Sequence, residues 1–150
     1  KKNKDMEKKV LFFFMIWLIP CMVMAQGGLH ANAVFAGKVV AQDQMVEVKV
    51  RGRALSKYRL NFYHSVRFNA SIQQKNEIDN LIEHDRQHAV SVELRSKGKK
   101  TSLIMSFVPR GKTNRYFCYL VSGSGKCRSI TLVYMEGSVS SIDELRKLIG

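Results

Sequence analysis

The stretch RYFCYLVSGSGKCRSITLVYM, residues 115–135, holds two runs rich in β-branched and aromatic residues around a Ser/Gly turn. That is the sequence form of an antiparallel hairpin. Within it, Phe117, Tyr119 and Val121 share one side, so helices are expected on that face of the sheet. Cys118 falls on the other. If Ser122-Gly123 is a two-residue loop, Cys118 lies opposite Cys127 in a non-hydrogen-bonded pair. Opposite Cα atoms there are about 4.5 Å apart, within the roughly 4.4–6.8 Å that a disulfide spans. A longer loop, Ser122 to Gly125, shifts the register by two and makes the pair diagonal. A Cys118–Cys127 disulfide on the open face, pinning the register, is the expectation.

Outward from this hairpin the same signals repeat. Val90–Arg95 and Ser102–Val108 precede it as strand-like runs, with short glycine-bearing links at Ser96–Lys100 and Pro109–Asn114. An antiparallel meander follows from links this short. Before it, Ser71–Ala89 reads as a helix. Ser71 and Gln74 have capping-box spacing, and Ile78, Leu81, Ile82 and Ala89 cluster on one face. Tyr58–Phe68 and Met45–Arg51 alternate at period two, the latter placing Val46, Val48 and Val50 on one side as an inward face. A second capping-box pattern, Ser141 with Glu144, opens a short C-terminal helix. The expected fold is α+β: an antiparallel sheet of about five to six strands in the order β-β-α-β-β-β-β-α, both helices on one face. From Tyr58 onward this succession resembles the strand–helix–four-strand–helix plan of the TATA-binding-protein-like half-saddle folds. Fold does not carry function.

Met6-Glu7-Lys8-Lys9, the 15-residue apolar run Val10–Met24 and the closing Val23-Met24-Ala25 have the layout of a secretory signal peptide cleaved after Ala25. The run is shorter than the roughly 20 residues of a spanning helix, and Pro20 interrupts it, so no stable membrane anchor is expected after cleavage. Residues 1–25 are therefore set apart as upstream residues plus signal, 26–44 as an irregular lead-in with a short helix near Ala31–Phe35, and 45–150 as one α+β domain. The chain carries 25 basic and 12 acidic residues. Residues 1–25 hold five and two of these, leaving 20 and 10, a net charge of +10. Export to the periplasm or beyond the cell makes an oxidising compartment, consistent with a cysteine pair.

Few patterns point to catalysis. His84 and His88 share a helix face, but no Glu stands in a His-Glu-x-x-His frame and no third ligand is evident. Gly123-Ser124-Gly125 is a turn, not a nucleophile elbow. Gly111-Lys112-Thr113 lacks the upstream glycine of a phosphate loop. No cofactor, metal or catalytic residue is assigned. The basic residues form the candidate surface: Arg59, Tyr63 and Arg67 on one strand face, Lys97, Lys99 and Lys100 in one loop, Arg110, Lys112 and Arg115 around another, Lys126 and Arg128 beside the cysteine hairpin. Such a surface suits an anionic envelope component or an acidic protein partner. Basic groups interleaved with tyrosine also occur on nucleic-acid platforms, but export removes that partner. Solvated loops and edge-strand lysines that discourage aggregation are the competing explanation.

Met45-Val46-Glu47-Val48-Lys49-Val50-Arg51-Gly52 with Leu55-Ser56-Lys57-Tyr58, and Ile130-Thr131-Leu132-Val133-Tyr134-Met135-Glu136-Gly137 with Asp143-Glu144-Leu145, resemble small exported proteins of Bacteroides-type bacteria. That family is known only as a domain of unknown function. The resemblance implies a Gram-negative envelope and no catalytic residues. A non-enzymatic binding domain is the leading expectation; a small envelope hydrolase or an accessory subunit of an envelope complex are the alternatives.

Overall fold

A computed structural model describes residues 28–149 of the chain. The expected signal segment and its cleavage point lie outside these residues. Six strands form one antiparallel sheet: β1 (Val46–Arg51), β2 (Leu60–Ser71), β3 (Ser91–Lys97), β4 (Lys100–Arg110), β5 (Thr113–Ser122) and β6 (Cys127–Gly137). Their order across the sheet is β1-β2-β6-β5-β4-β3. Helices α1 (Asn32–Phe35), α2 (Ile72–Arg86) and α3 (Ile142–Ile149) pack on it. The α+β class and the strand–helix–four-strand–helix succession are as the sequence predicts. The meander β3 to β6 folds back so that β6, the last strand, pairs with β2 at the centre.

The first face carries the larger core and is covered except at edge strand β3, where Val92 and Leu94 stay exposed. Phe62, Val66, Met105, Phe117, Leu132 and Tyr134 point into a cluster with Ile78 and Ile82 of α2. Ser71 caps α2 as its spacing requires: its Oγ accepts from Gln74 N–H (3.2 Å), and its own N–H donates to Gln74 Oε1 (3.0 Å). The lead-in 26–44 carries its short helix as Asn32–Phe35, and its described part belongs to this core. Ala31, Val34 and Val40 have no exposed surface. Asp85, buried near the end of α2, accepts the backbone N–H of His30 (2.6 Å) and of Ala31 (2.9 Å). A buried carboxylate is tolerated where backbone donors satisfy it. His84 stacks on His30 with ring centres 5.1 Å apart.

The second face differs from expectation in three ways. First, α3 lies here, opposite α2. Leu145 and Val139 are fully buried against Cys118, Tyr116, Val133 and Met135. The alternation that sends Phe117 to one face sends Tyr116 and Cys118 to the other, and with the first face already occupied their cover must come from this side. Tyr116 Oη donates to Val139 O at 2.6 Å, and Arg59–Glu144 and Arg146–Glu93 ion pairs tie α3 to the sheet. At the start of α3, Glu144 N–H donates to Ser141 Oγ (3.1 Å), while the Glu144 carboxylate accepts from Ser140, one residue upstream of the predicted box partner.

Second, β2 carries a bulge between Leu60 and Phe62. Leu60 therefore joins the α3 side while Phe62 stays with α2. Arg59 takes a left-handed φ of 57° there. The chain at Arg59 runs so close to Gly137 that a Cβ would stand 2.2 Å from Arg59 O, a contact only glycine permits.

Third, the disulfide is absent. Ser122 pairs with Ser129 and Cys118 with Val133, so neither considered loop is formed. Cys127 pairs instead with Ser71 across β2. Six residues of β6 separate Val133 from Cys127, about 20 Å of strand. Both thiols are free, Cys118 buried and Cys127 exposed. Burial alone pushes the Cys118 thiol up to about 12.

Candidate functional site

On the second face, α3 covers only one half of the sheet. Beyond it the strands run on bare towards the β3–β4 and β5–β6 connections. The register there aligns two rows, the first of which runs on past Arg67 to the exposed Val46 of edge strand β1. One reads Arg67 (β2), Thr131 (β6), Leu120 (β5), Ser102 (β4), Arg95 (β3). The next, two residues further along each strand, reads Asn69, Ser129, Ser122, Lys100, Lys97. From Arg67 to Arg95 in the first row and from Ser129 to Lys97 in the second, they line a shallow trough of about 460 Å³. Its floor is four hydroxyls around Leu120. Its walls are Arg67 on one side and Arg95, Lys97 and Lys100 on the other. Four strand spacings put the two arginine Cα positions about 19 Å apart.

The electrostatics are one-signed. None of the lining residues is acidic. Arg95 Nε donates to Glu93 Oε1 at 3.0 Å, and Glu93 is shared with Arg146. These arginine hydrogen bonds hold the Glu93 carboxyl below its usual range, that from Arg146 contributing most. Arg67, Lys97 and Lys100 have no ion-pair partner among the described residues, and the four floor hydroxyls have no hydrogen-bond partner there. Each hydroxyl can donate and accept. The trough thus offers anion attraction at its rim and two-way hydrogen bonding on its floor.

A second hollow, of about 370 Å³, lies on the other face at the same end of the sheet. Lys75, Arg86, Lys99 and Arg128 line it with Asp79 and Glu83. Lys75 pairs with Asp79 at 2.7 Å, and Tyr119 Oη donates to Asp79 Oδ1, also at 2.7 Å. Burial, then that carboxylate, pushes the Tyr119 hydroxyl well up, so it stays a donor.

The eleven residues predicted as an anion-binding surface are therefore divided. Arg67, Lys97 and Lys100 meet in the trough. Lys99 and Arg128 line the second hollow, and Lys126 sits in the adjoining β5–β6 connection. Tyr63 is half-buried beside the α3 cluster. Arg59 pairs with Glu144. Arg110 and Lys112 bound the β4–β5 turn at the opposite end of the sheet. Arg115 donates from Nε to Tyr134 Oη at 3.1 Å on the first face. The sequence reading missed Arg95 and the whole hydroxyl floor. The hydroxyls come one or two from each of β4, β5 and β6, so they form a floor only once the register is known.

The fold and this surface define a small α+β protein with a basic, hydroxyl-floored trough and no cluster of three or more metal-ligating side chains among the described residues. The chain belongs to a family of unknown function, DUF6108, whose match covers residues 18–149. No curated protein and no solved structure matches it.

Proposed function

We propose that this chain is an exported binding module and that the trough is its contact surface for an anionic ligand. One observation carries this reading. Two cross-strand rows place four unpartnered hydroxyls between Arg67 and the Arg95–Lys97–Lys100 wall, with no acid among them. The signal-peptide layout of Met6–Ala25 supports export. The lining also offers its hydroxyls no histidine or carboxylate as proton acceptor, which favours contact over hydrolysis. A polar rim around an open floor suits a ligand held by charge and hydrogen bonds, with affinity that falls as salt screens the rim.

The test is retention on a sulfated-polysaccharide resin at low salt, with elution by a salt gradient. The native protein is expected to bind, and R67E/R95E/K97E/K100E to flow through. R53E/K57E/R110E/K112E, which reverses the same number of charges at the opposite end of the sheet, should elute much closer to the native protein. Equal loss in both variants would reduce the effect to net charge and sink the trough as a site.

A further inference from the structure

The trough and the second hollow lie on opposite faces of the sheet, yet both open at the same end. Thr101 and Val121, near the ends of β4 and β5, line both. The residues between them are the β3–β4 turn with Gly98 and Lys99, and the β5–β6 connection with Lys126. Lys97, Lys99, Lys100, Lys126 and Arg128 crowd this tip, with Arg67 and Arg95 behind it on the trough side. A small anion would use one hollow and leave the other idle.

We infer that the ligand is an extended acidic polysaccharide that lies in the trough, crosses the β3–β4 tip and reaches the second hollow at Lys99 and Arg128. This rests on the trough being an anion site. Three features favour a sugar polymer. The trough floor matches alternating hydroxyl donors and acceptors. No aromatic ring lines it, so it has no platform for the base stacking that holds single-stranded nucleic acid. Leu120, 38% exposed at the centre of the floor, gives an apolar patch for the carbon face of a sugar ring. Two linked contacts also bind far more tightly than either alone, because the second becomes intramolecular.

Cys127 supplies a probe without mutation. It is exposed and precedes Ser129 by two residues on the same face of β6, one alternate position closer to the tip. Bound polymer should shield it from alkylation.

The experiment measures oligogalacturonates from disaccharide to dodecasaccharide by calorimetry, alongside the alkylation rate of Cys127. Affinity is expected to rise about tenfold or more from the shortest to the longest chain. K99E/R128E should abolish that gain and leave disaccharide binding unchanged, with circular dichroism confirming the fold. The dodecasaccharide should slow Cys127 alkylation at least several-fold. If the disaccharide binds as tightly as the dodecasaccharide and K99E/R128E changes nothing, the crossing is wrong while the trough stands. If no length binds and R67E/R95E/K97E/K100E still behaves as native on the resin, the trough reading fails too. Tighter binding of length-matched single-stranded DNA would overturn the polysaccharide.

Discussion

Along the same strands and on the same face, the sheet changes character within two residues. Under α3, the row Ser65–Val133–Cys118–Ile104 is buried. One step on, Arg67–Thr131–Leu120–Ser102–Arg95 is open to solvent or nearly so. Backbone pairing is continuous through both, so the difference lies in side chains and in what covers them. Where the alternation delivers Val, Cys and Ile, a helix with Leu145 on its inner side docks. Where it delivers Ser, Thr and charge, nothing in the described chain does. A sheet needs cover only where it would expose apolar surface; the uncovered half is where a partner can enter.

The two cysteines sample the two halves and give the largest expected contrast. Cys127 should alkylate readily in the native protein. Cys118, buried with its thiol pushed up to about 12, should react only through opening of the fold. For an ordinary domain stability this means slowing of roughly a thousandfold or more. Mass spectrometry of iodoacetamide-treated protein reads both rates. Equal rates would show that α3 is not seated. No Cys118–Cys127 disulfide should form under mild oxidation of the folded protein.

Core truncations come next. Leu145→Ala removes a fully buried side chain and should cost about 2–5 kcal/mol in urea unfolding. Leu120→Ala, in the open half, should cost less than about 1 kcal/mol. Similar costs would mean the trough is covered in solution. A smaller effect is expected from Thr131→Val combined with Ser102→Val. Stability should hardly move, while each lost hydrogen bond weakens anion binding by about 0.5–1.5 kcal/mol.

The smallest effect is a pH dependence on the first face. His64 has its pKa lowered by burial, opposed by Glu47 at 3.6 Å. A histidine that resists protonation when folded stabilises the fold fully above its unfolded pKa, near 6.5. That contribution is lost as pH falls below that value towards the folded pKa. Thermal melts between pH 7.5 and 5.5 should show a decline that His64→Phe reduces. An unchanged slope would locate the titration elsewhere.

Much of the fold was legible from local pattern. The Ser71–Gln74 cap, the alternation of β5 and the order of elements rest on side chains interacting with their own neighbourhood. The misreadings share a cause. Val46, Val48 and Val50 alternate as an inward face should, yet Val46 is 67% exposed, because β1 is an edge strand with little packed over it. Alternation tells which residues share a side, not whether that side is covered. The disulfide failed for a related reason: a loop with several glycines admits more than one register, and pairing with β2 and β4 chose among them.

The site was legible as charge but not as place. Arg67, Lys97 and Lys100 stood out as basic residues, along with seven others and Tyr63 that the fold sends elsewhere. By itself the sequence determined the elements, their succession and an excess of positive charge, because helix caps and two-residue periodicity are local and charge is additive. Only the tertiary structure decided that α3 covers half of one face, that the lead-in belongs to the core, and that hydroxyls from β4, β5 and β6 fall in rows between Arg67 and Arg95. Those are matters of register and burial, set by contacts between residues far apart in the chain.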